Sequence, residues 1–354
     1  MLSRLSLRFA QAVRIGTAVE MSSLRWIVAT GALAAVLAAV LFVGVVYVAN
    51  RIHLDIIPAL APKLTLLDLE PALVFAGDSR TAQQVDPALV AEMLGKPRGY
   101  AVNIAAQGED PAAVLAAARA VPDAFHHADL IMSLSPYHIN DGSKREYFYS
   151  APTIARLGLA RELWTFVPSR PRTLVWYIQD TFDGAAAAAA PPPPPSPAVL
   201  LAGNLGYTPV AGNIVVFGNG HRYRDFLTAE IRPYERHSYF DDWQPDGFKV
   251  AVVRSALCDL RPLVHRLVIV APPWAPIADL TGGAWRDRQQ DFDRALGAIA
   301  TACGFEFLAI DAIDGLGIGF FADEVHLNPE ATPIYDSYLL RRLGYIAKRP
   351  GDRF

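Results

Sequence analysis

The sequence has almost no excess of either charge and very few cysteines, and both shortages exclude classes of function. Its 354 residues include 32 Lys and Arg against 35 Asp and Glu, a formal net charge of -3. No broad basic field results, so we expect no nucleic-acid partner. The two cysteines, Cys258 and Cys303, do not have the spacing of a metal site. They can form one disulfide or remain two buried thiols, and the sequence leaves both possibilities open.

Charge is also missing locally, because no charged residue occurs between Trp26 and Asn50. A helix crosses a bilayer with about 20 apolar residues, whereas the apolar part of a cleaved signal peptide has roughly 7–15. Four arginines and one acid precede this run. The positive-inside rule therefore predicts a cytoplasmic segment at 1–25, a transmembrane anchor at 26–50 and export of the remainder. We expect a single-pass protein of the inner or plasma membrane whose main domain is extracytoplasmic, in the periplasm.

Strand-like and helix-like patterns alternate after a connector at 51–70. Apolar runs predict strands at 72–76, 100–104, 128–134, 266–270 and 305–310. Helical patterns, two of which open on an Asp-Pro pair, lie at 86–94, 112–121, 284–302 and 329–343. The alternation predicts an α/β fold with a parallel sheet covered on both faces. Its two parts, 71–141 and 264–354, flank an insertion at 142–263 with an Ala/Pro-rich spacer at 184–197.

A polar residue or a glycine follows each of three predicted strands. Ser79 follows the first, Gly108 the second and Asn140 the third. Because the carboxyl ends of parallel strands share one edge of a sheet, we expect these residues to converge. The backbone N–H groups of Ser79 and Gly108 and the side-chain amide of Asn140 would then form an oxyanion hole. The alternative for Ser79 is an ordinary turn, since glycine, aspartate and serine are common in turns.

A second group lies just before the last predicted helix, where Asp323 and His326 are three residues apart. A nucleophilic serine needs a general base, and the base needs a carboxylate to orient it. One loop can carry both members of that pair. We therefore predict Ser79 as nucleophile, His326 as base and Asp323 as the orienting acid. We expect no metal or other cofactor, because no Asp and His cluster with ligand spacing surrounds the strand ends.

These blocks resemble the SGNH (GDSL-type) hydrolase and acyltransferase superfamily. Gly77-Asp78-Ser79 matches its first block, the segment 103–108 looks like the second, and 323–328 looks like the Asp-x-x-His element. The resemblance covers roughly 69–141 and 266–343. It implies a flavodoxin-like three-layer sandwich and the same roles for the serine, the histidine and the aspartate.

Two positions depart from the family pattern. Arg80 replaces the leucine that follows the nucleophile, and it either binds an anionic substrate or is a solvated surface residue. Of the third block, Gly-x-Asn-Asp, only Asn140-Asp141 is present. This change puts the third oxyanion donor in doubt, and His138 is a candidate replacement.

The resemblance implies a membrane-anchored extracytoplasmic serine acyltransferase or esterase. Its substrates would be O-acyl groups, above all O-acetyl groups, of a cell-surface or secreted polysaccharide. The expected partners are the membrane, the glycan or acyl-ester substrate, and a membrane protein that delivers acyl groups. The alternative function is a non-catalytic assembly or scaffold protein on a degenerate hydrolase fold, which the altered third block favours.

Overall fold

The computed structural model describes residues 30–31, 61–106, 108–142, 196–209, 239–240, 242–276 and 284–348. The chain divides into two compact units, Met1–Ile52 and His53–Phe354. Apart from Thr30 and Gly31, the predicted cytoplasmic segment and anchor lie outside the described residues, as does the spacer up to residue 195. Within the described residues, no helix has both the length and the apolar character needed to span a membrane.

The described part of the second unit contains one sheet of five parallel strands. They are β1 (Leu73–Gly77), β2 (Ala101–Asn103), β3 (Asp129–Ser133), β4 (Arg266–Ala271) and β5 (Glu306–Ala309). Their order in the sheet is β2-β1-β3-β4-β5, with every neighbouring pair parallel. This is the order of flavodoxin-like sheets, whose ligands bind where the order reverses, between β1 and β3. The predicted parallel sheet is therefore confirmed.

Helices and single turns connect the strands. The helices are α1 (Ala61–Leu64), α2 (Ser79–Gln84), α3 (Pro87–Met93), α4 (Pro111–Ala120), α5 (Pro122–His126), α6 (Pro197–Ala202), α7 (Phe248–Leu260), α8 (Ala284–Cys303) and α9 (Thr332–Arg342). Short 3-10 turns lie at Thr65–Leu69, Pro136–His138, Arg261–Leu263 and Ile318–Phe320. The two Asp-Pro pairs open helices as predicted: Asp86 and Asp110 each accept hydrogen bonds from two backbone N–H groups of the first turn. Such caps each contribute about 1 kcal/mol.

Alternate strand residues face two separate hydrophobic cores, which gives three layers. On one face, Val74 and Leu130 pack with buried residues of α4, α7 and α8. On the other face, Phe75, Ile131 and Val268 pack with buried residues of α3 and α9. Strands that are buried on both faces consist of continuous apolar runs, and these runs are the signal that predicts them.

The boundaries of the predicted insertion and connector differ from the structure. The insertion was predicted to reach residue 263, but α7 belongs to the layer that covers the sheet, and Val253 and Leu257 in it are fully buried. The connector was predicted to reach residue 70, but Leu66 and Leu67 are buried in the same core. These apolar residues stabilise the domain by removing their surface from water, at about 25 cal/mol per Å².

The structure decides between the two possibilities for the cysteines. Cys258 near the end of α7 and Cys303 at the end of α8 form a disulfide. Because 45 residues of sequence separate them, the bond closes a long loop between two helices of one layer.

Candidate active site

Ser79 lies in a sharp connection between β1 and α2. Gly77 ends the strand with φ +107°, and Asp78 caps the helix by accepting the Arg80 N–H at 3.0 Å. A side chain at Gly77 would place its Cβ 2.4 Å from the Ser133 carbonyl oxygen, so both the backbone angle and the space require glycine. The turn therefore places the serine at the first position of a helix, at the carboxyl edge of the sheet. We did not predict α2, because its six residues are too few for a periodic apolar pattern.

The structure brings Ser79 to the predicted base and acid. Ser79 Oγ lies 2.8 Å from His326 Nε2, and His326 Nδ1 lies 2.7 Å from Asp323 Oδ2. Asp323 Oδ1 accepts the backbone N–H groups of Val325 and His326 at 2.9 and 2.8 Å. The serine and the histidine are 247 residues apart in sequence, so only the fold creates this relay. The predicted nucleophile, base and orienting acid are thus connected by hydrogen bonds in the order that acyl transfer requires.

The charge state of Asp323 suits an orienting role. Burial alone would raise the pKa of this carboxyl, but the hydrogen bond and charge of His326 and the two backbone N–H groups outweigh burial. The pKa therefore lies below its usual value, and the group is an anion at neutral pH. The side chains of His326 and Asp323 are 14% and 34% exposed, so solvent reaches the relay.

Gly108 lies in the loop after β2, where Ala106 N–H donates to the Gly77 carbonyl at 3.0 Å. This bond holds the loop beside the end of β1. Gly108 has φ +73°, in the left-handed region that glycine adopts readily. Among the described residues, the N–H groups of Ser79 and Gly108 donate no hydrogen bond within the protein. Their role as oxyanion donors stays a prediction from the sequence.

The third predicted donor has a different role. Asn140 is fully buried, its Nδ2 donates to the Tyr239 carbonyl at 3.0 Å, and its Oδ1 accepts the N–H groups of Gly142 and Gln244. These bonds hold the loop after β3 against the segment around Gln244. The prediction that Asn140 completes the oxyanion hole is therefore corrected: its amide braces two loops.

His138 does not replace that donor. It is buried, its Nδ1 accepts the Ser135 N–H at 2.9 Å, and its Nε2 donates to the Glu109 carbonyl at 2.9 Å. Burial lowers the pKa of the imidazole, although the charge of Asp78 opposes that effect. Both ring nitrogens are thus occupied by protein groups, and the imidazole is neutral at neutral pH.

Arg80 is 1% exposed, which corrects its prediction as a substrate-binding or solvated residue. Its guanidinium donates to the carbonyls of Pro272 and Pro273 and lies 5.3 Å from the centre of the Trp274 ring. The side chain therefore fastens the loop that follows β4. Burial alone would raise the pKa of the neighbouring Asp78, but His138, Arg80 and a hydrogen bond from the Ser135 hydroxyl together lower it.

A cavity of about 420 Å³ lies at the carboxyl ends of β4 and β5. Trp274, Trp285 and Asp293 are among its lining residues, whereas the serine and histidine of the relay are not. We place the candidate active site at the relay, because three hydrogen-bonded functional groups indicate a reaction centre more directly than a concavity does. Phe321 also lines the cavity, and it precedes Asp323 by two residues, so the cavity adjoins the loop of the relay.

Comparison with known proteins gives a distant likeness. No family model matches the chain, and no curated protein matches it significantly. Among solved structures, three catalytic mutants of Axe2, an acetylxylan esterase from Geobacillus stearothermophilus, are similar to it at 14% sequence identity. Each match covers 78% of this chain and 96% of the other, with a TM-score of 0.34. At this similarity the comparison supports no conclusion about function. Any such conclusion has to rest on the geometry of the site.

Proposed function

We propose that this chain is a serine esterase or O-acyltransferase with Ser79 as its nucleophile. One observation carries the proposal: the hydrogen-bonded sequence Ser79, His326, Asp323, with contacts of 2.8 and 2.7 Å. A serine hydroxyl is a weak nucleophile, and a base within hydrogen-bonding reach activates it. The motif blocks and the 2-1-3-4-5 strand order support membership in the SGNH superfamily.

The proposed reaction has two halves. Ser79 Oγ attacks the carbonyl carbon of an ester while His326 Nε2 takes the hydroxyl proton, and Asp323 stabilises the imidazolium that forms. The N–H groups of Ser79 and Gly108 bind the negative oxygen of the tetrahedral intermediate. The intermediate collapses by breaking the bond to the alcohol, which leaves with the proton from His326. The acyl group on Ser79 then passes by the same steps to water, in an esterase, or to a sugar hydroxyl, in a transferase.

The proposed setting is the outer face of a membrane. The uncharged run at 26–50 would anchor the chain, and the Cys258–Cys303 disulfide is consistent with an oxidising compartment such as the periplasm. The proposed substrates are O-acetyl groups of a cell-surface or secreted polysaccharide, by resemblance to the superfamily. As a transferase, the protein would receive its acyl groups from a membrane protein.

The first test uses the full-length chain in detergent with p-nitrophenyl acetate and a fluorophosphonate probe. We expect ester hydrolysis and one labelled serine in the parent protein, and neither in the Ser79→Ala variant. A matched variant, Ser337→Ala in α9, should behave as the parent in both assays. Hydrolysis and labelling that continue unchanged in Ser79→Ala would refute the proposal. Adding a sugar acceptor and weighing the products by mass spectrometry separates transfer from hydrolysis.

A second candidate function is a non-catalytic scaffold protein, and the bracing role of Asn140 favours it. This interpretation treats the relay as a remnant that lacks a complete oxyanion hole. It predicts a protein whose ester hydrolysis equals that of the Ser79→Ala variant and of buffer alone. The same assay therefore decides between the two functions.

A further inference from the structure

Glu109 is a buried acid next to the active site that the proposed relay does not include. It is 2% exposed, and it immediately follows Gly108. Its Oε2 accepts two backbone N–H groups, from Gly77 at 3.2 Å and from Ala106 at 3.1 Å. The first belongs to the end of β1 and the second to the loop after β2. One carboxyl oxygen therefore connects the two segments that present the proposed oxyanion donors.

Each of these contacts lies within two residues of a proposed donor. Gly77 precedes Ser79 by two residues, and Ala106 precedes Gly108 by two. Ala106 N–H also donates to the Gly77 carbonyl, so the same amide is shared between the strand end and Glu109. The backbone carbonyl of Glu109 is held as well, by His138 Nε2 at 2.9 Å. The residue is thus fixed at both its side chain and its main chain.

We propose that Glu109 is a positioning residue that holds the N–H groups of Ser79 and Gly108 in the spacing an oxyanion needs. The inference rests on the proposed acyl transfer. Glu109 touches no reacting atom and acts through Gly77 and Ala106. A shift of about 1 Å in a catalytic donor is enough to slow a reaction about a hundredfold. Losing the hydrogen bonds from Gly77 and Ala106 to Glu109 should therefore lower the reaction rate.

The surroundings of Glu109 favour its neutral form. Burial raises the pKa of this carboxyl well above its usual value, and the charge of Asp110 raises it further. The two donated N–H groups and Lys63 act in the opposite direction and are outweighed. The Lys63 ammonium instead donates to the backbone carbonyls of Ala105 and Gly206. A neutral amide of the same shape should therefore accept the same two N–H groups, which makes glutamine a conservative replacement.

The test compares Glu109→Gln and Glu109→Leu in the full-length protein, with kcat, KM and the melting temperature measured on p-nitrophenyl acetate. We expect the leucine variant to lose about ten- to a hundredfold in kcat with KM within about threefold, since deleting a single oxyanion donor costs about 100- to 1000-fold. We expect the glutamine variant to stay within about threefold of the parent. The exposed Glu92→Leu serves as a matched control with parental kinetics.

Several results would overturn the inference. These are a leucine variant with parental kcat, a glutamine variant as slow as the leucine variant, or a loss that appears in KM alone. If Glu109→Leu does not fold, Glu109→Asp replaces it: its carboxyl is one methylene shorter and cannot reach both N–H groups, so a parental kcat there also overturns the inference. The parent and Ser79→Ala are assayed in parallel. Absence of Ser79-dependent hydrolysis refutes the proposed function, whereas an active parent with normal Glu109 variants refutes only the positioning role.

Discussion

Replacing Arg80 by leucine tests whether this side chain stabilises the fold or binds substrate. The guanidinium donates to two backbone carbonyls, of Pro272 and Pro273, and to the Ser135 hydroxyl at 3.4 Å. It is 1% exposed, so no solvent replaces these bonds when it is removed. Leucine is also the residue that the SGNH pattern has at this position, and it can fill the apolar part of the space.

The expected loss follows from the groups left behind. A buried carbonyl without a donor costs about 1–3 kcal/mol, and two carbonyls lose their charged donor here. The buried Asp78 carboxylate also loses a neighbouring positive charge, and its pKa should rise. Leucine recovers part of this through apolar contact with Trp274. We therefore expect Arg80→Leu to lower the free energy of unfolding by roughly 2–5 kcal/mol, a large share of the 5–15 kcal/mol typical of a domain.

Urea unfolding followed by tryptophan fluorescence measures this loss, with Arg254→Leu on the exposed side of α7 as the matched control. The control should change the free energy by less than about 0.5 kcal/mol. A loss below about 1 kcal/mol for Arg80→Leu would refute the reasoning. An unchanged unfolding midpoint together with a selective rise in KM for anionic esters would restore the prediction that Arg80 binds substrate.

Two further predictions concern stability. Burial raises the pKa of Asp293 to about 6, so its contribution to stability is full below its unfolded pKa near 4 and is lost as the pH rises through about 6. We expect Asp293→Asn, which keeps an acceptor for the Gln289 amide, to raise the free energy of unfolding more at pH 8 than at pH 5, by on the order of 1 kcal/mol at pH 8 after allowing for partial exposure; equal effects at both pH values would contradict this cause. Replacing Cys258 and Cys303 together by serine should lower the free energy of unfolding by roughly 2–4 kcal/mol, since the bond closes a 45-residue separation. Urea unfolding with and without reductant checks this, and a parent that reductant does not destabilise would contradict it.

The features predicted correctly are those whose signal is local. The central strands β1, β3 and β4 consist of apolar runs because both faces of the sheet are buried there. The Asp-Pro pairs mark helix starts because the aspartate caps the helix and the proline fits its first turn. The helix α7 also had a local signal, with apolar residues at Val253, Ala256, Leu257 and Leu260 repeating at helical spacing. The insertion predicted at 142–263 nevertheless includes it.

The features that the sequence does not predict depend on what other parts of the chain supply. An arginine after a strand is usually solvated, and Arg80 is buried because two carbonyls some 190 residues away face it. Glu109 carries no motif either, because its two donors become neighbours only when β1 and β2 pair. The state of the cysteines is decided by the packing of α7 against α8. Amino-acid composition and residue spacing do not predict such contacts between distant segments.

The role of Asn140 bears on the choice between enzyme and scaffold. If a side-chain amide were essential to the oxyanion hole, its use as a brace would exclude catalysis. Two backbone N–H groups are, however, sufficient in other serine hydrolases, and the proposed donors Ser79 and Gly108 would supply two. Two backbone N–H groups hold the Asp323 carboxylate in place beside the His326 imidazole. A scaffold protein would not require this arrangement. The ordered relay therefore supports the proposed acyl transfer with a two-donor hole, whose spacing Glu109 would maintain.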